Sequence, residues 1–201
     1  MAHVHLPDGV IPLKWCLLGF ATYSVPLALG LKRLVERPST IPLVGTLAAV
    51  SFAAMQVPVV CAHLMLTPLT GIVLGPRLSA VSVFVVDTAC ALMGHGGVTV
   101  VGINSILNWS EAAGGWLLYR LLTGAGLKPG RAALVATGTV LSCTAFVPPF
   151  VMAVALNTSP YPFLFTLTPF WILTAWLEAL VTSKTVGALV RMNVEWVSPG
   201  S

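Results

Sequence analysis

Apolar runs broken by short polar, glycine or proline punctuation repeat along the whole chain. They fall at about 13–31, 41–60, 63–75, 78–93, 98–122, 131–156 and 163–191. A helix needs roughly 20 apolar residues to cross a bilayer, and most of these runs approach that length. The third, interrupted by Pro68, and the fourth, ending in Gly94-His95-Gly96-Gly97, are shorter and require tilt or shelter by neighbouring helices. The pattern predicts an all-α integral membrane protein, a bundle of about seven transmembrane helices over 13–191. Residues 1–12 precede the bundle and 192–201 form a tail, the whole being one domain.

Composition removes the soluble alternative. Charged residues make up 8% of the 201, and the mean hydropathy is +0.93. A water-soluble domain carries about a quarter charged residues to clothe its surface. This chain must be clothed by lipid. The run after Lys14 is long enough to span, and the residues before it hold Asp8 and two histidines rather than a basic cluster, which speaks against a cleaved leader. The four cysteines stand singly among apolar neighbours and read as small buried hydrophobes.

Charge then gives an orientation. With seven spans and an outside N-terminus, Lys32, Arg33, Arg37, Arg77, Arg120, Lys128, Arg131 and Arg191 fall on the inner side, Lys184 near it, and Lys14 alone outside. This is the asymmetry that basic residues show across a cell membrane, so the net charge of +4 reports topology and not a nucleic-acid partner. The C-terminal tail is expected in the cytoplasm. Fusing the third and fourth runs into one span would mix the signs of the flanking loops.

Under that topology all four histidines, His3, His5, His63 and His95, lie at the outer face. Imidazole is the commonest protein metal ligand, and nitrogen-rich sites suit zinc, copper, nickel or cobalt. The N-terminus adds further donors. With Met1 removed, the Ala2 amine, the His3 amide nitrogen and the His3 imidazole can close two fused chelate rings. With Met1 kept, an amine, two amides and an imidazole complete a square plane. Such planes favour Cu(II) or Ni(II), whereas zinc prefers a tetrahedron. Pro7 and Gly9 shape a turn around Asp8.

Asp87, Glu111 and Glu178 stand in apolar surroundings, where ionisable groups are costly and are paired or functional. Asn104 and Asn108 share a helical face with Ser105 and Glu111 nearby, suited either to interhelical hydrogen bonding or to ordering metal ligands. No G-x-x-x-x-G-K-[ST] phosphate loop is present, nor H-E-x-x-H or G-x-S-x-G. Competing readings are a metal-dependent membrane hydrolase using His63, His95 and Asp87, a secondary metal transporter, and a scaffold protein.

Four motifs carry a resemblance. They are Val4-His5-Leu6-Pro7-Asp8-Gly9, His63-Leu64 through Thr67-Pro68-Leu69 to Val73-Leu74-Gly75-Pro76, Gly94-His95-Gly96-Gly97-Val98-Thr99 with Gly102-Ile103-Asn104, and Glu178-Ala179-Leu180-Val181-Thr182. Through them the chain resembles the CbiM/NikM type of substrate-specificity subunit of energy-coupling-factor transporters, which import cobalt or nickel. The resemblance implies a subunit in the cell membrane of a prokaryote that binds Ni(II) or Co(II) as transported substrate. Its expected partners are a coupling transmembrane subunit, ATPase subunits and a small accessory membrane subunit. It also implies a ligand set of the N-terminal amine, the amide and imidazole of a histidine at position two, and a histidine of the third span, here His63. The N-terminal segment 1–12 then captures the metal and tucks into the bundle. The family motif begins at the initiator Met, whereas three residues precede Val4 here, so motif alignment points to His5. Chelate rings need amine and imidazole adjacent in sequence, which selects Ala2 and His3 and leaves His5 as a further ligand. His95, Asn104 and Asp8 are expected to stand behind the ligands and order them. The small-residue faces at Gly71–Gly75 and Gly114-Gly115 would suit docking of a partner helix.

Overall fold

The computed structural model describes residues 8–59 and 62–194. Eight helices follow in order: α1 Leu13–Glu36, α2 Ile41–Met55, α3 Thr67–Leu92, α4 Val101–Gly124, α5 Pro129–Thr144, α6 Val147–Ala155, α7 Tyr161–Thr166 and α8 Thr168–Arg191. Between α2 and α3 lie two short strands, β1 Pro58–Val59 and β2 Ala62–His63, paired antiparallel. Five stretches among the described residues are long and apolar enough to cross a membrane: Leu13–Glu36, Pro38–Met55, Thr67–Leu92, Pro129–Val154 and Thr168–Arg191. Each of the seven apolar runs is helical through most of its length. The sixth divides into α5 and α6, and the seventh into α7 and α8.

The helices are dressed for lipid. On α1 the inward stripe is Cys16, Gly19, Tyr23 and Gly30, while Trp15, Leu17, Leu18, Val25 and Leu29 point outward. Large apolar side chains outside and small or polar ones inside invert the soluble arrangement. In lipid the outer face needs no water, and close backbone approach supplies the packing. Gly19 and Gly102 meet where α1 crosses α4, and a Cβ on Gly102 would run into the Phe20 backbone.

The third and fourth runs share one element, broken at Gly75 (φ 72°, ψ 172°) ahead of Pro76. Glycine reaches that left-handed φ without the clash a Cβ would bring, and proline removes the N–H that a continuing helix would use. The arms 67–74 and 76–92 fold back on one another there. Thr67 and Thr70 of the first arm face Ser82, Val83 and Val86 of the second around one small void. A straight helix would hold Thr67 and Val86 about 28 Å apart at 1.5 Å per residue. The two short runs are therefore two arms of one reversed element, and both arms are mostly buried, with α1, α2 and α4 packed against α3.

Two expectations need correction. Gly71 and Gly115 are not free for a partner: a Cβ on Gly71 would collide with the Ala112 backbone, and one on Gly115 with Pro68. Gly114 likewise faces Val140 of α5, so these small residues are spent on contacts within the bundle. Of the cysteines, Cys16 and Cys90 are buried but Cys143 is exposed, because that side of α5 faces outward. Cys61 lies outside the described residues.

Candidate metal centre

His63 and His95 come together at one end of the bundle, their ring centroids 5.4 Å apart with planes at 72°. They flank the α3 hairpin, so the reversal at Gly75 is what joins them. A nitrogen ligand sits roughly 2 Å from a transition-metal ion. Rings spaced this way can share an ion, or one can brace the other.

Each ring is placed by local structure. His63 closes the strand pair opposite Pro58. Two residues on, Glu178 of α8 accepts the Met65 N–H at 3.0 Å, and Leu66 then takes a left-handed conformation (φ 57°) before Thr67 and Pro68 open the helix. A left-handed leucine is strained, so the bond to Glu178 holds a bend the chain would not keep alone. His95 is placed by the end of α3. Gly94 is left-handed (φ 81°), and the His95 N–H donates back to the Cys90 carbonyl at 2.8 Å, a six-residue closure that satisfies an end-of-helix carbonyl.

Asp8 fastens the N-terminal segment to the same loop. Its carboxylate accepts hydrogen bonds from the Val98 N–H at 3.1 Å, the Thr99 N–H at 2.8 Å and the Thr99 hydroxyl at 2.5 Å. The Thr99 hydroxyl first, and then the Thr99 and Val98 amides, hold the Asp8 carboxyl below the usual carboxylate range. A depressed pKa means that the clasp is complete above the ordinary carboxylate value and is lost only as pH falls through the lowered one. Gly97 packs on Asp8 so closely that a Cβ would overlap the carboxylate.

The chemistry at His63 suits a ligand. Burial first, and then the neighbouring His95, push its pKa below the ordinary histidine value, so protons compete for the ring only under more acidic conditions. Its Nδ1 is buried without a hydrogen-bond partner among the described residues. Buried polar atoms are normally satisfied, and an orphaned imidazole nitrogen beside His95 is open to a hydrogen-bond partner or an ion. Among the described residues no three His, Cys, Asp or Glu side chains converge to hold a metal. Ala2, His3 and His5 lie outside the described residues.

The remaining polar candidates resolve into cross-helix staples. Asp87 accepts from Ser105 Oγ at 2.8 Å and Asn108 Nδ2 at 2.7 Å, joining α3 to α4. Glu111 accepts from the Thr67 hydroxyl and the Thr144 hydroxyl, both at 2.8 Å, joining α4 to α3 and α5. With Glu178, all three carboxylates are buried to 2% exposure or less. Asn108 thus takes the interhelical role, and Asn104 is buried one turn nearer the histidine loop. Met65, Thr99 and Gly97 escaped sequence reasoning as contributors, although Thr99 and Gly97 stand inside a recognised motif.

The geometry of the clasp makes a test. Replacing Asp8 with alanine removes three acceptor contacts and frees the N-terminal segment from the Gly97–Thr99 loop. Residues that orient metal ligands typically change affinity by about 10- to 100-fold. Titration calorimetry with Co(II) or Ni(II) on D8A should show a loss in that range, and unchanged affinity would remove Asp8 from the site.

The family model described as "Cobalt uptake substrate-specific transmembrane region" matches residues 5–196. A protein of Geobacter sulfurreducens named "Cobalt transport protein CbiM" is 34% identical over 145 residues, 66% of this chain and 42% of that protein. One of the same name from Thermosediminibacter oceani is 33% identical over 133 residues, covering 61% of this chain and 54% of its own length. The chain spans about half the length of the relatives it matches. Two solved structures share the fold. A truncated transition metal transporter superposes with a TM-score of 0.78 at 19% identity, covering 94% of this chain and 99% of that one. A second transition metal transporter gives 0.77 at 20% identity over 95% and 94%.

Proposed function

Since this chain belongs to the CbiM family of cobalt-uptake substrate-specific transmembrane regions, we propose that it is the metal-capturing membrane subunit of an ATP-driven importer of Co(II) or Ni(II). The observation that carries the reading is the orphaned, buried His63 nitrogen beside His95, with Asp8 clasped to the loop that follows His95. The ion is held by the Ala2 amine, the amide and imidazole of His3, and His63, with His5 a further ligand. His95, Asn104 and Asp8 order them. The relatives' names favour cobalt as cargo, and a square plane of nitrogens accepts nickel equally.

The histidine end faces outward. The opposite end gathers Arg33, Arg37, Arg77 and Arg120, and basic residues mark the cytoplasmic side. The hydrolase alternative is weakened by occupancy: Asp87 is engaged by Ser105 and Asn108, and Asp8 by Thr99 and Val98, so each candidate base is already bonded to the chain.

A subunit without a phosphate-binding loop depends on others for energy. Proton-driven carriers run their coupling through relays of intramembrane acids and bases. Here the three intramembrane carboxylates are bonded to neighbouring helices and loops as staples. A site that holds a trace ion tightly releases it slowly. Release therefore has to be driven by helix contacts with a coupling subunit worked by ATPases.

Two measurements test this. Purified protein exposed to equimolar Co, Ni, Zn and Cu should retain Co or Ni on metal analysis. In liposomes the chain alone should bind metal without concentrating it, and the coupling and ATPase subunits should restore uptake that stops when ATP hydrolysis is blocked. Concentrative uptake by the isolated chain on a proton or sodium gradient would replace this reading with secondary transport.

A further inference from the structure

A cavity of about 510 Å³ opens at the end of the bundle away from the histidines. Arg33 and Arg37 reach it from the end of α1, Arg77 from just past the Gly75 turn, and Arg120 from late in α4. Its wall also carries apolar residues, with Leu43, Ile72, Leu74 and the half-exposed ring of Trp116. We infer that this cavity is a binding site for the phosphodiester headgroup of an anionic membrane lipid.

Charge comes first. Among the described residues, one carboxylate stands at this end, Glu36, bound to Arg33 at 3.2 Å. Asp87, Glu111 and Glu178 are committed inside the bundle and Asp8 lies at the other end. Arg33 shares that carboxylate, and Arg37 and Arg77 add two exposed guanidiniums to the same cavity. The rule that puts basic residues on one membrane face explains why they are on this face, but not why they converge on one cavity.

Residue type is the second argument. The four basic residues lining the cavity are all arginine, while Lys32, Lys128 and Lys184 are absent from its wall. A guanidinium presents a planar fork that matches two phosphate oxygens, which an ammonium cannot do. Shape is the third. The volume far exceeds a free phosphate and falls within the roughly 300–1,000 Å³ of ligand pockets. The apolar residues of its wall suit an acyl chain, and Trp116 adds the kind of amphipathic ring that membrane interfaces favour. Basic pockets between helices on the cytoplasmic side are where anionic headgroups bind.

The test uses the full chain in detergent, with native mass spectrometry to count retained lipid and thermal unfolding to read its effect. Phosphatidylglycerol should be retained at one molecule per chain and raise the melting midpoint, and phosphatidylcholine of the same acyl chains should do neither. R37Q/R77Q, which alters two exposed side chains, should lose retention by about tenfold or more, the scale of 1.4 kcal/mol. K128Q/K184Q, with the same change in net charge elsewhere, should retain lipid as the parent does. Equal retention of the two lipids, or undiminished retention in R37Q/R77Q, overturns the inference. A full shift from millimolar inorganic phosphate alone overturns lipid as the source. Absence of lipid preference, together with cross-linking from this cavity to an acidic segment of a partner subunit, makes it a protein-docking site instead.

Discussion

Replacing His63 with alanine should abolish metal binding and leave the fold intact. The ring is half-buried at the rim and touches His95 edge-on, so little packing is lost. Its Nδ1 has no hydrogen-bond partner among the described residues, and deleting an unsatisfied polar atom leaves no other group stranded. The loop that carries it stays in place, because Glu178 grips the Met65 main chain rather than the imidazole. Affinity should fall by more than the roughly 100-fold that ligand-orienting residues cost, since one of the direct donors disappears. His95→Ala should cost less, because His95 is assigned to brace the site. Calorimetric titration of both variants, with circular dichroism to confirm helix content, decides the assignment. A silent H63A beside an inactive H95A would reverse the two roles.

An uncleaved extension at the N-terminus should be comparably damaging. The proposed chelate needs the terminal amine next in sequence to the His3 amide and ring, and added residues move that amine away and remove up to two ring closures. The Asp8 clasp limits compensation. With Asp8 fastened to Thr99, slack from residues beyond Asp8 cannot draw a displaced amine back. A tag of several residues should reduce binding by an order of magnitude or more, as loss of 1.4 kcal/mol or more requires. The same tag at the C-terminus should have no effect. Full binding with an intact N-terminal tag would exclude the amine as a ligand and turn attention to His5.

Much of the architecture was legible because lipid enforces a simple grammar. The break at Gly75-Pro76 showed as two adjacent residues that cannot continue a helix. Counting basic residues alone then brought His63 and His95 to one end, where their rings meet. What could not be read were bonds between distant positions. Asp8 and Thr99 are 91 residues apart, and Met65 and Glu178 113. Nothing local distinguishes an acid that clasps a backbone from one that merely shapes a turn. The small residues were misjudged for a related reason. Gly71 and Gly115 announce a close approach but not the helix that makes it, and here that helix belongs to the same chain. In α5, Cys143 looks like any apolar neighbour until the helix is rotated into place and it faces outward.

The hairpin at Gly75 changes how damage to this protein should be mapped. The two histidines are the tips of a pair of tongs, and the pivot is a single residue whose backbone (φ 72°, ψ 172°) only glycine occupies with ease. The longer arm runs about 25 Å from pivot to tip at 1.5 Å per residue. A side chain forced on the pivot would splay the tips while touching neither. A genetic screen for lost metal uptake would then recover alleles at Gly75, at the opposite end of the hairpin from the histidines, as readily as at the histidines themselves. Sensitivity in this protein follows the geometry of the lever, and distance from the cargo is a poor guide to it.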